Sequence, residues 1–228
     1  MPSFPAFVDL RGRRCLVIGA GQVGLRKIRR LVHCRARPLD VVEPHPDESL
    51  LMDPDICRAV TLHRRPFDPG DLPGAFLVVA STSDPETNMH IGRLCREKDI
   101  LCNVVDRPEL CSIVWPSLIS RGDLQIAVTT GGASPALSRR IRQQLDREFG
   151  PEYTIWLSLL KILRPKIIHR GGAQTDKATL FRSLTDEALL EAISRSDGPG
   201  LLALLQERLP ADLHSFAREV LHELEFSL

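Results

Sequence analysis

One junction near the start of the chain constrains its fold more than any other feature. Cys15-Leu16-Val17-Ile18 is a short apolar run, and Gly19-Ala20-Gly21-Gln22-Val23-Gly24 follows it directly. A helical pattern comes next, with Leu25, Ile28, Leu31 and Val32 on one side and Arg26, Lys27, Arg29 and Arg30 between them. In such a G-x-G-x-x-G junction Gly19 permits the tight turn, Gly21 lets the backbone approach a pyrophosphate, and Gly24 allows close helix-strand packing. The free N–H groups at the helix start add a partial positive charge facing the phosphates. Leu39 to Val42 reads as a second strand, closed by Glu43, which stands 19 residues after Gly24. An acid there accepts a ribose 2′-hydroxyl and repels a 2′-phosphate, which favours NAD over NADP. The plainer reading of Glu43 is a solvated strand end.

The pattern repeats through the first half. Ala59 to His63, Ala75 to Ala80 and Ile100 to Val105 read as strands, and Pro44 to Asp55 as loop or weak helix. Asp84 is an N-cap and Pro85 the first position of a helix that buries Ile91, Leu94 and Cys95. Strands alternating with helices predict a parallel α/β sheet covered on both faces. After Pro108 the pattern changes. Ser112 to Ile119 and Leu124 to Thr130 are β-prone runs joined by Ser120-Arg121-Gly122-Asp123, a hairpin, and Ser134-Pro135 opens an amphipathic helix through Leu137, Ile141 and Leu145. Beyond Gly150 leucine periodicity predicts helices, broken near Gly171-Gly172, Asp197-Gly198-Pro199 and Pro210. Three parts result: a dinucleotide-type α/β domain over 1–112, a hairpin-plus-helix module over 113–150, and a small all-helical domain over 151–228.

Further candidates gather at the carboxyl ends of the strands, where such sheets bind ligands. Ser81 and Thr82 follow one strand, as ligand contacts or as caps of the next helix. Asp106 ends another, as a turn former or a catalytic acid. Thr130-Gly131-Gly132-Ala133-Ser134 enters a helix and either holds an anion or makes a plain turn and N-cap. Arg139, Arg140 and Arg142 follow within two turns, a self-repelling cluster unless an anion or acids lie near.

Composition excludes several classes. The net charge of +1 gives no global reason to expect nucleic acid or an anionic membrane, and no apolar run approaches a membrane span. The beginning of the chain shows no basic-then-apolar leader, so a cytoplasmic protein is expected. The six cysteines show neither C-x-x-C pairs nor zinc spacing, and read as small core residues in a reducing compartment. No metal ligands are assigned. Charge is nevertheless uneven: residues 1–37 hold nine Lys/Arg against Asp9, and residues 186–225 hold nine acids against three arginines. Lys161 to Arg170 is basic too, interrupted by Pro165, and reads as a solvated helix face.

Pro5-Ala6-Phe7-Val8-Asp9-Leu10, the Val17–Gly24 loop with Arg26-Lys27, Asn103-Val104-Val105-Asp106 and Thr130-Gly131-Gly132-Ala133-Ser134-Pro135 occur in this order. As a set they resemble the precorrin-2 dehydrogenase/sirohydrochlorin ferrochelatase family, including the N-terminal part of siroheme synthases. The resemblance implies a Rossmann-type NAD-binding domain, a homodimer formed through the hairpin-and-helix module, and NAD-dependent oxidation of precorrin-2 to sirohydrochlorin. It puts the essential aspartate at Asp106 and NAD contacts at Gln22, Val23 and near Glu43-Pro44. A serine that some relatives can carry in phosphorylated form is Thr130 here. Asp106 is then the expected general base. A substrate with eight carboxylates needs a basic cleft, for which Arg107, Arg121, Arg139, Arg140 and Arg142 are the candidates, with the second glycine loop beside them. Two other readings stay open: a bifunctional enzyme that also inserts ferrous iron, and a non-catalytic NAD-sensing module.

Overall fold

The computed structural model describes residues 4–170 and 174–227, so the break expected near Gly171-Gly172 lies outside the described residues. The chain forms two compact units, Met1–Trp115 and Pro116–Leu228.

The first unit is built on a parallel sheet of β1 (Arg11–Ile18), β2 (Arg37–Val42), β3 (Val60–His63), β4 (Leu77–Ala80) and β5 (Leu101–Val104), in the order β3-β2-β1-β4-β5. Helices α1 (Gln22–His33), α2 (Glu48–Leu51), α3 (Pro54–Ala59) and α4 (Pro85–Glu97) connect them. Strand residues alternate between two buried faces. Cys15, Val17, Leu39, Val41, Leu77 and Val79 pack against Leu25, Ile28 and Leu31 of α1. Leu16, Ile18, Val78 and Ala80 pack against Ile91 and Cys95 of α4. Burial on both faces explains why these strands read as continuous apolar runs. β1 begins at Arg11, four residues before its apolar run, because its polar start pairs with Arg37 of β2. Of the cysteines, Cys15, Cys95 and Cys102 are core residues as expected, whereas Cys57 is exposed.

In the second unit β6 (Ser117–Arg121) and β7 (Leu124–Val128) form the antiparallel hairpin, followed by α5 (Pro135–Glu148). Two details correct the sequence reading. Residues 112–116 are not part of the hairpin, since Ser112 and Ile113 donate backbone N–H bonds to the Cys102 carbonyl and run back along β5. The turn is also tighter: Arg121 pairs with Leu124, leaving Gly122-Asp123 as the loop. Helices α6 (Glu152–His169), α7 (Gln174–Ser183), α8 (Glu187–Ser194), α9 (Gly198–Arg208) and α10 (His214–Glu223) follow. Breaks fall at Asp197, which caps α9, and at Pro210, as expected. Pro165, in contrast, does not interrupt its helix. Leu163 and Ile167 on either side of it are buried in the core of this unit and hold α6 in register. The basic residues of this stretch, Lys161, Arg164, Lys166 and Arg170, are exposed as expected of a solvated face, and Arg164 and Lys166 lie over the rings of Phe181 and Phe216. Among the described residues no helix is long and apolar enough to cross a membrane.

Candidate dinucleotide site

Where β1 and β4 lie side by side, the connections leave to opposite sides of the sheet, and a crevice opens at the carboxyl ends of the strands. This cleft encloses about 1390 Å³. The sequence expectations converge on it: Gly19, Gly21, Gln22, Val23, Glu43, Pro44, Ser81, Thr82, Asp106 and Arg107 all line it. Gly24 lies beneath, buried.

Its three glycines act in different ways. Gly19 has φ +90°, and any side chain there would strike the Ser81 backbone. A Cβ at Gly24 would collide with the Gly19 carbonyl oxygen and the Ser81 hydroxyl. Ser81 is itself part of this joint, since its hydroxyl donates to the Gly19 carbonyl at 2.7 Å. Gly21 differs. Its φ of −60° suits any residue, and a Cβ there would meet no protein atom within 4 Å. The fold therefore needs no glycine at 21; a ligand that approaches this backbone closely does.

The start of α1 points the same way. Gly21 is its N-cap, no side chain caps it, and its first turn holds no acid. On α3 and α4, Asp53 and Asp84 occupy the equivalent N–H groups with their carboxylates. Uncapped N–H groups beside a glycine with open space fit the phosphates of a dinucleotide.

Glu43 is more than a solvated strand end. One carboxylate oxygen accepts the Ala20 N–H at 2.8 Å and the other the His45 N–H at 2.9 Å, which ties the glycine loop to the end of β2. Each oxygen keeps a lone pair for a ribose hydroxyl. Asn88 is a residue the sequence reading missed. Buried on α4, it accepts the Thr82 N–H and hydroxyl and donates to the Thr82 carbonyl, so it fixes the loop after β4 from below. Its signal was a polar residue on the buried side of a helix. The carboxylate of Asp84, also in the cleft wall, is held below the usual carboxylate range chiefly by the Thr87 hydroxyl.

Asp106 is exposed in the cleft wall and has φ +59°. It occupies the third position of a β-turn closed by Arg107 N–H on the Val104 carbonyl, where glycine or asparagine is usual. Aspartate is one of the few side chains that tolerate this region, and Asp99 at the end of α4 adopts it too.

The remaining candidates lie in the second unit. Thr130 is committed internally: its hydroxyl donates to the Ser134 carbonyl and accepts the Ser134 N–H and the Ser138 hydroxyl. Ser134 caps α5. Gly131 and Gly132 present open backbone. Arg121 and Arg142 both pair with Asp146, at 2.8 and 3.6 Å, while Arg139 and Arg140 are exposed and have no carboxylate partner among the described residues.

Known proteins match along this architecture. Residues 6–117 fit the family described as "Putative NAD(P)-binding", and residues 121–148 the family described as "Sirohaem biosynthesis protein central". The siroheme synthase of Thioalkalivibrio sulfidiphilus is 39% identical over 73% of this chain and 34% of that protein. That of Pseudoalteromonas atlantica is 30% identical over 94% of this chain and 46% of its own length. The chain thus spans less than half the length of these relatives. The structure of SirC, a precorrin-2 dehydrogenase, superposes with a TM-score of 0.69 at 25% identity, covering 98% of this chain and 99% of that one. The cleft is thus a dinucleotide site of the NAD(P)-binding kind, and the chain belongs to the siroheme-biosynthesis family that joins precorrin-2 dehydrogenases with the N-terminal part of siroheme synthases.

Proposed function

We propose that this chain oxidises precorrin-2 to sirohydrochlorin with NAD⁺, and that Asp106 is its general base. The observation that carries the proposal is the Asp106 carboxylate, held in a left-handed turn on the wall of the same cleft as the glycine loop. A bound nicotinamide supplies the hydride acceptor. Removal of two hydrogens from the macrocycle then leaves one proton, which an Asp106 carboxylate oxygen accepts and passes to water. Gly19, Gly21, Gln22, Val23 and the α1 start would seat the pyrophosphate, Glu43 and Pro44 the adenosine ribose, and Ser81 and Thr82 the opposite wall.

In this reading the enzyme is a cytoplasmic homodimer. The apolar positions of α5 support the dimer, since Leu137 is 47% exposed and Ile141 and Leu145 are half-buried, too little cover for the apolar side of an amphipathic helix. Six free thiols suit a reducing compartment. On the cleft wall of the first unit Arg107 would meet a substrate carboxylate; in the second unit Arg121, Arg139, Arg140, Arg142 and the Thr130–Ser134 loop are the candidates for such contacts. The test is anaerobic incubation with precorrin-2 and NAD⁺, then with ferrous iron. Stoichiometric NADH and sirohydrochlorin are expected; NAD⁺ binding without turnover would overturn the dehydrogenase reading, and siroheme formed after iron addition would extend it to chelation.

A further inference from the structure

The turn that presents Asp106 is clasped from behind by a thiol. After Asp106 the chain passes through the single turn of Pro108–Leu110 and returns beneath the end of β5, which brings Cys111 against the turn it has just left. The Cys111 Sγ accepts the Val104 N–H at 3.2 Å and an Asn103 Nδ2 proton at 3.7 Å. Its own proton lies within reach of two carbonyl oxygens, those of Val104 at 3.2 Å and Arg107 at 3.3 Å. These two carbonyls flank Asp106, one on each side of the turn.

The segment around Cys111 is itself anchored. The Ser112 hydroxyl accepts the Cys102 N–H at 2.8 Å, and Asn103 Nδ2 also donates to the Ile113 carbonyl at 3.1 Å. Cys111 therefore links a fixed strand end to both ends of a turn whose central aspartate is left-handed. A group that must hold a proton acceptor within a fraction of an ångström gains most from such a link, because a displacement of about 1 Å can cost about a hundredfold in rate.

We propose that Cys111 is a positioning residue for the oxidation: its thiol holds the 104–107 turn so that the Asp106 carboxylate faces the cleft. The proposal rests on Asp106 being the general base. It assigns Cys111 no contact with substrate or cofactor and no redox step.

The test is a double-mutant cycle on the full chain. Cys111→Ala should lower kcat about tenfold with the KM for NAD⁺ unchanged within about twofold, because the glycine loop is untouched. Cys111→Ser, which restores both donor and acceptor, should recover at least half of the lost rate. In an Asp106→Asn background, Cys111→Ala should cause no further loss. If Cys111→Ala fails to fold, Cys111→Val fills the space without a hydrogen-bonding group and takes its place. Wild-type kcat in Cys111→Ala or Cys111→Val would overturn the proposal, as would equal losses on the two backgrounds or no recovery with serine. A fully active Asp106→Asn would instead overturn the base reading, and the role of Cys111 with it.

Discussion

At the carboxyl edge of the five-stranded sheet the cleft is walled by glycines, hydroxyls, the uncapped start of α1 and the charged side chains of Glu43, Asp84, Asp106 and Arg107. At the amino edge of the same sheet a second depression, of about 830 Å³, is walled by Arg11, Arg29, Arg35, Arg37, Arg58 and His33 against Asp53 and Asp55. Counting charge alone, the amino edge is the better anion site. Helix polarity reverses that judgement. α1 opens its N–H groups to the carboxyl edge and ends with His33 and Arg35 at the amino edge, where its last carbonyls carry partial negative charge. Arginines there answer the field of the helix end, and Arg29 is further held by Asp53 at 3.1 Å. Three more of the basic N-terminal residues have local partners: Arg14 pairs with Asp40, Arg13 lies over Phe76, and Lys27 over Trp115. Positive charge at the amino edge thus marks a helix end and ring faces, whereas the proposed phosphate site at the carboxyl edge offers neutral backbone N–H groups.

The strongest way to sharpen this contrast acts on the carboxyl edge alone. Asp106→Asn, which keeps the left-handed turn, should cut turnover by about 10²–10⁴ while NAD⁺ affinity stays unchanged, measured as NADH formation beside a binding titration. Gly24→Ala should lose NAD⁺ binding and also destabilise the fold by about 3 kcal/mol, because its Cβ meets rigid backbone; a denaturant titration reads the second effect. Gly21→Ala separates the two consequences: about a tenfold or greater loss of NAD⁺ affinity, with the unfolding midpoint unchanged. Equal affinity in Gly21→Ala would remove the pyrophosphate from this loop.

Weaker effects are expected at the other edge. Arg35→Ala, Arg37→Ala and Arg58→Ala combined should shift stability by about 1 kcal/mol or less at low salt, with NAD⁺ affinity unchanged. Were tripolyphosphate to raise the melting temperature of the wild type and not of this variant, the amino edge would be a ligand site after all and the contrast would fail. The smallest effect belongs to the middle of α1. Burial lowers the Lys27 pKa from 10.5 to about 8, so its charged form opposes folding below about pH 8. That opposition fades as pH rises towards 10.5, because the unfolded chain then holds the extra proton. Lys27→Met should accordingly gain about 1 kcal/mol over the wild type at pH 7, after allowance for solvent screening and the lost Trp115 contact, and less at pH 10.

Much of the site was legible in the sequence because its parts are local. A glycine junction, a strand-end acid and a capped helix each declare themselves within a few residues. Asn88 and Cys111 were not legible, since their role depends on which loop lies opposite them. The reading of Pro165 as an interruption failed for a related reason: local propensity disfavours proline in a helix, but the buried neighbours Leu163 and Ile167 outweigh it. Leu137 shows the converse, an apolar position with too little of its own unit to cover it.

The sequence by itself determined the strand-glycine-helix entry, the parallel α/β sheet and the hairpin that follows, because hydrophobic period and turn chemistry act over short range. Tertiary structure alone decided that Glu43 braces the glycine loop, that Gly21 faces open space while Gly24 is locked, and that Asp106 is held left-handed with a thiol at its back. Those facts depend on which backbone groups come within about 3 Å of one another across the sheet, and hydrogen bonds of that reach are set only when the strands are in register.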